Sequence, residues 1–206
     1  MKIRNLLAVS IFSIFLYSCI ATSFSTVYNK PTTITGYSEE KWLFVTSDVP
    51  ADLQKDFDQQ IVQFLESCYG KNFVNYKTNQ NQYLLPDFTY EFNHDMFINQ
   101  LNKSNEINFY LQVNAEVVRF DVGAGLDLNS RPTREMNSHD ETRIRVTFEV
   151  IDVVKKESVY SQSVKGITRK DESNKEDVLL TLPLDNQFKK AFKRGFKRFQ
   201  KDFPCN

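Results

Sequence analysis

Apolar residues fall along this chain in two periods, and the alternation between them predicts its elements. Residues 41–46, KWLFVT, are rich in aromatic and branched side chains and predict a strand. Ser47 or Asp48 then offers a cap for a helix opening near Pro50. Leu53, Phe57, Ile61, Phe64, Leu65 and Cys68 recur at helical spacing and mark one buried face, which Gly70 ends. Residues 73–76, FVNY, predict a second short strand, and the polar run 79–82, NQNQ, a loop. Phe92, Met96, Phe97 and Leu101 predict a second helix with a weaker period. Residues 107–120 form the longest strand candidate. There Phe109, Leu111 and Val113 alternate toward one side until the pattern shifts around Glu116, Val117 and Val118.

Residues 121–142 make a long polar connection. The run 143–154 resumes as a strand with Ile144, Val146, Phe148 and Val150 on one face. Lys155, Lys156, Glu157 and Ser158 turn it, and 159–164, VYSQSV, returns as its hairpin partner. Residues 170–177 read as a charged loop. In the last segment Phe188, Phe192, Phe196, Phe199 and Phe203 form a helical stripe. The order is therefore β-α-β-α-β-β-β-α. The expected fold is α+β: a mainly antiparallel or mixed sheet of 4–5 strands with two to three helices packed on one face, which buries every stripe. Residues 20–38, polar and without a clear period, are expected to act as a tether.

The first eighteen residues have a different character. Lys2 and Arg4 precede a run, 6–17, that is apolar apart from Ser10 and Ser13. A bilayer core takes about 20 apolar residues to cross, so this run is too short. Its cationic start and short apolar stretch are those of a secretory signal. Leu16-Tyr17-Ser18 fits a small-x-small cleavage site poorly. Leu16, Ser18 and Cys19 instead resemble a bacterial lipobox, with Tyr17 larger than that position usually holds. The resemblance implies a lipoprotein signal peptide over residues 1–18, cleavage before Cys19, and a diacylglycerol on the Cys19 thiol, often with acylation of the new amino terminus. Two or more acyl chains hold a small domain firmly, whereas one binds reversibly. The bland alternative is a conventional signal that happens to contain a cysteine. No acidic cluster follows Cys19, so the chain is expected to face the periplasm, anchored in the inner leaflet of the outer membrane. The expected organisation is a lipidated amino terminus and tether over 19–38 and a single α+β domain over 39–206.

Charge adds an asymmetry. The whole chain is formally neutral, with 26 basic and 26 acidic residues; without Lys2 and Arg4 it stands at about −2. Residues 186–206 carry seven Lys or Arg and one Asp, about +6, which leaves about −8 for residues 19–185. That balance, with the expected compartment, argues against a nucleic-acid binder. Once Cys19 is modified, Cys68 and Cys205 remain at the ends of the first and last predicted helices. An oxidising compartment favours pairing them, since helices at the two ends of a small α/β chain can pack side by side. The alternative is a buried Cys68 and an incidental thiol near the terminus.

Candidate chemistry is sparse. Between the phenylalanines of the last helix stand Lys189, Lys190, Lys193, Arg194, Lys197, Arg198 and Lys201. A core-packed helix with a solvated cationic face explains them, and so does contact between that face and a membrane or an anionic partner. Gly195 weakens the helix slightly and permits a close approach to a neighbour. Gly123-Ala124-Gly125 lacks the lysine-threonine pair or following helix of a phosphate cradle, and it reads as a turn in a loop long enough to serve as a contact surface. His94 and His139 have no metal-ligand spacing, so no metal or cofactor is expected. No serine has a nucleophile-elbow context. Tyr83, Phe88 and Tyr90, around Pro86, either pack under their loop or stack on a ligand.

From residue 107 to 203 the layout is similar to small periplasmic lipoproteins, including activators of penicillin-binding proteins and the curli secretion lipoprotein. A strand, a long loop and a β-hairpin ending near Val164-Lys165-Gly166 precede a carboxy-terminal helix. The resemblance implies a non-catalytic binding or assembly role in the envelope, with the bilayer and an envelope protein as partners. A carrier of a small apolar or glycan ligand would instead need an aromatic-lined cavity. A hydrolase would need convergent titratable groups.

Overall fold

The computed structural model describes residues 22–30, 37–79, 94–104, 106–118, 141–169 and 183–205. Its strands are β1 (Ser23–Lys30), β2 (Trp42–Phe44), β3 (Phe73–Asn75), β4 (Phe109–Val118), β5 (Glu141–Asp152) and β6 (Glu157–Arg169). Its helices are α1 (Ala51–Tyr69), the single turn α2 (Tyr76–Asn79), α3 (His94–Ser104) and α4 (Leu184–Asp202), with a 3-10 turn at Gly70–Asn72. One mixed sheet runs in the order β1-β6-β5-β4-β2-β3. β2 pairs parallel with both β3 and β4, and the remaining pairs are antiparallel. The fold is α+β, as the periodicity implied, with one strand more than expected.

The extra strand is β1. Residues 23–30, expected within the tether, pair with β6 from Ser23 opposite Ile167 to Tyr28 opposite Gln162. Phe24 and Tyr28 turn toward the main core, and most of the other side chains of the strand are exposed. Two inward aromatics four residues apart carry little periodic signal, which is why an edge strand passed for linker.

On one sheet face Trp42, Phe44, Phe109, Leu111, Val113, Ile144, Val146, Phe148 and Val150 meet α1 and α4 in the main core. Phe57 of α1 and Phe192 of α4 stack with centroids 3.9 Å apart, and Phe64 meets Phe196 and Phe199 edge-on. The opposite face is covered over β2, β3 and β4 by a smaller cluster of Leu43, Val45, Val74 and Tyr110 with Phe97, Ile98 and Leu101 of α3. Thus α1 and α4 share one face and α3 takes the other. Met96, expected on the buried stripe of α3, is 59% exposed, and Ile98 fills the position instead.

Two expected caps are used otherwise. The first residue before α1 is Pro50, with no side-chain cap. Asp48 continues the sheet past the end of β2, donating its N–H to the Val113 carbonyl and accepting from the Ala115 N–H, each at 2.8 Å. Gly70 closes α1 at φ +49°, a left-handed conformation that favours glycine.

Gly195 sits where α4 crosses the sheet. A β-carbon there would lie 2.6 Å from Phe148 Cε2, and Phe148 is fully buried under Phe192, Phe196 and Phe199. Gly195→Ala gains up to about 1 kcal/mol of helix propensity, but overpacking a filled core costs about 1–3 kcal/mol. At a 2.6 Å approach the cost falls in the upper part of that range, about 2–3 kcal/mol, so a net loss of about 1–2 kcal/mol is expected in urea unfolding. An alanine variant as stable as the parent would show that the crossing is looser than described.

Candidate functional site

The face with the most chemistry on it is the outer half of α4. Successive residues turn by about 100° in a helix, so Lys189, Lys193, Lys197, Lys190, Lys201, Arg194 and Arg198 follow one another round a single half of the cylinder. All seven are exposed, while Phe188, Phe192, Phe196 and Phe199 occupy the other half and are buried. Among the described residues none of the seven cations forms an ion pair with a carboxylate; the three ion pairs are Lys77–Asp58, Arg145–Glu116 and Lys155–Asp152. Lys193, Lys197, Lys190 and Lys201 fall in the middle of that half, opposite the buried residues, and Lys189 lies on the flank away from β1. Arg194 and Arg198 reach sideways to β1.

That sideways contact adds to the β6 ladder in holding the edge strand. The Arg194 guanidinium lies 4.9 Å from the Phe24 ring centroid and donates to the Phe24 carbonyl at 3.3 Å. The Arg198 guanidinium lies 5.3 Å from the Tyr28 ring centroid, and its Nε donates to the Tyr28 hydroxyl. Guanidinium faces stack on aromatic rings better than an ammonium does. The Tyr28 and Tyr160 hydroxyls both donate to Asp202 Oδ2, at 2.8 and 3.0 Å. Burial, and then the neighbouring Asp202 charge, push the Tyr160 phenol well above its usual range, so it stays a donor. At the other end of the strand, the Thr22 and Thr168 hydroxyls are 3.0 Å apart, and Thr168 donates to Gln187 Oε1 at 3.1 Å.

A second polar cluster closes the loop after β2. Asp58 on α1 is buried, and its Oδ1 accepts from the Ser47 N–H at 2.8 Å and the Ser47 hydroxyl at 2.6 Å. Its Oδ2 accepts from the Thr46 hydroxyl at 2.7 Å and from Lys77 Nζ at 3.1 Å. Gln54 adds donations to Thr46 Oγ1 and the Ser47 carbonyl. With four donors on one carboxylate, the cluster serves to fix the loop. Sequence reading missed it, although an aspartate three residues before Ile61 on a buried helix face is a signal in itself.

A third surface is the polar side of β1, β6 and β5. Thr147 and Ser163 hydroxyls are 3.0 Å apart, and Asn29 donates to Ser163 at 3.2 Å. Arg145 pairs with Glu116 at 2.9 Å across the neighbouring strands.

The sulfurs of Cys68 and Cys205 are joined as a disulfide, with Cα atoms 4.6 Å apart. Cys19, the 121–142 loop through residue 140, His139, Tyr83, Phe88 and Tyr90 lie outside the described residues, as does Phe92. Among the described residues no group of three His, Cys, Asp or Glu side chains gathers as a metal site. No helix among them is long and apolar enough to cross a membrane.

The sequence matches no family model and no curated protein. Solved structures are similar in outline at low identity. A PelC dodecamer from Paraburkholderia phytofirmans is 13% identical with a TM-score of 0.37, over 74% of this chain and 85% of that one. Lipoprotein GNA1162 from Neisseria meningitidis is 10% identical with a TM-score of 0.32, over 76% and 96%. A putative neuraminyllactose-binding hemagglutinin homolog from Helicobacter pylori is 10% identical with a TM-score of 0.36, over 85% and 89%.

Proposed function

We propose that this chain is a periplasm-facing lipoprotein, anchored through acylated Cys19, that acts as a non-catalytic binding or assembly accessory in the cell envelope. The observation that carries the reading is the run LYSC at 16–19, placed directly after a short apolar stretch with Lys2 and Arg4 before it. The strand, loop, hairpin and helix order from β4 to α4 supports the accessory role by its likeness in layout to the penicillin-binding-protein activators. So does the use made of the two carboxylate clusters: Asp58 fixes a loop and Asp202 fixes an edge strand, which leaves neither carboxylate unpartnered.

The test is metabolic labelling with an alkyne fatty acid, followed by membrane fractionation of the native chain and Cys19→Ala. The native chain is expected in the membrane fraction, labelled, with a mature amino terminus at Cys19. Cys19→Ala is expected to lose the label entirely. An unlabelled native chain, or a Cys19→Ala chain that keeps its label, would overturn the anchor.

A further inference from the structure

The lipid-anchor reading has a geometric consequence, on which the following inference rests. β1 begins at Ser23, so only residues 20–22 separate Cys19 from the sheet. Three residues reach at most about 10 Å. Thr22 bonds Thr168, which bonds Gln187 in the first turn of α4. The anchor is thus short, and it starts where β1, β6 and the amino-terminal turn of α4 meet. From that point β1 and α4 run side by side, clasped by Arg194 over Phe24 and Arg198 over Tyr28. A tether over residues 20–38 would let the domain hang free of the bilayer; three residues keep the start of β1 within about 10 Å of the headgroups, comparable to the Debye length of roughly 8 Å.

We propose that the cationic half of α4 lies against anionic phospholipid headgroups, so that Cys19 and α4 together seat the domain on its β1–α4 edge. Lys190, Lys193, Lys197 and Lys201 lie opposite the buried half of the helix and have no carboxylate partner among the described residues. The acyl chains supply the affinity and the cations supply the orientation. Residues 19–185 sum to about −8, so an anionic surface repels most of the domain and attracts this helix. The aromatic half of α4 stays in the core, because Phe188, Phe192 and Phe199 are already fully buried.

The experiment reconstitutes the natively lipidated full-length mature protein into neutral phosphatidylcholine vesicles and into vesicles containing about 30 mol% phosphatidylglycerol. Vesicles are floated, then lysines are acetylated briefly and read by mass spectrometry. Lys190, Lys193, Lys197 and Lys201 are expected to react about fivefold more slowly on the anionic vesicles. Lys71, beside β3 at the far edge of the sheet, is expected to react equally on both. Replacing Lys190, Lys197 and Lys201 together by glutamine should restore fast labelling of Lys193 while flotation persists. Flotation with equal labelling on both vesicles would overturn the seating and leave the anchor standing. Failure to float at all would overturn both. Protection seen in native membranes but absent from protein-free anionic vesicles would overturn the lipid assignment and identify an acidic protein on the same face.

Discussion

Asp58→Ala is expected to cost about 3–5 kcal/mol, a large share of the about 5–15 kcal/mol by which a domain of this kind is stable. Besides the Lys77 ammonium, the carboxylate accepts from one backbone and two hydroxyl donors: the Ser47 N–H, the Ser47 hydroxyl and the Thr46 hydroxyl. Ser47 is fully buried, so its two donors find no water when the carboxylate is removed. Each buried donor left unpaired costs about 1–3 kcal/mol. The Lys77 ammonium contributes far less, since its side chain is 63% exposed and an exposed partner is worth at most about 1 kcal/mol. The two variants therefore separate the causes. Lys77→Gln should shift the urea midpoint only slightly, whereas Asp58→Ala should shift it by more than 1 M at about 2 kcal/mol/M. Equal losses in the two variants would mean that the ion pair, and not the hydrogen-bonded loop, is what Asp58 maintains.

This cluster also shows where sequence reading stops. The stripes of α1 and α4 and the alternation in β4 and β5 were legible because each repeats a period over many residues, and burial follows that period. The Asp58 cluster joins positions 46, 47, 54, 58 and 77, which no period relates; only the turn after β2 brings them together. Ser47 and Asp48 looked like helix caps because their residue types suit that role. Tertiary demands took both, Ser47 for Asp58 and Asp48 for the edge of β4. β1 was illegible for a related reason. Its strand conformation comes from pairing with β6, reinforced by Arg194, Arg198 and Asp202, all far along the chain.

The candidate surface divides in the same way. The seven cations of α4 and their helical period are visible in the sequence, but their neighbour is not. Only the fold places β1 alongside that helix. With β1 beginning at Ser23, the proposed anchor leaves residues 20–22, and not 20–38, between Cys19 and the sheet, which is what brings the basic helix into the proposal.

Reducing the Cys68–Cys205 disulfide is expected to lower stability by about 3 kcal/mol, within the 2–5 kcal/mol typical of native bridges in secreted domains. The bond spans 137 residues of sequence, so it closes most of the domain into one loop. Chain-entropy reasoning puts the upper limit for such a loop near 5 kcal/mol. The bridge ties the end of α1 to the segment after α4, the two helices whose phenylalanines stack at 3.9 Å. It therefore restrains the unfolded chain at the contact on which the main core is built. Oxidised protein, reduced protein and the Cys68→Ser/Cys205→Ser double variant are to be compared by urea unfolding. The reduced and double-variant midpoints should coincide, about 1.5 M below the oxidised one at about 2 kcal/mol/M. A larger urea dependence in both is also expected, because an uncrosslinked chain exposes more surface on unfolding. Coincidence of all three curves would show that the bridge adds nothing to the helix pair. A double variant that still responds to reductant would show that the thiols at 68 and 205 are not the ones joined. The expected destabilisation also links fold to compartment: a chain retained in a reducing cytoplasm would lack the bond, whereas export through the apolar run at 6–17 would let it form.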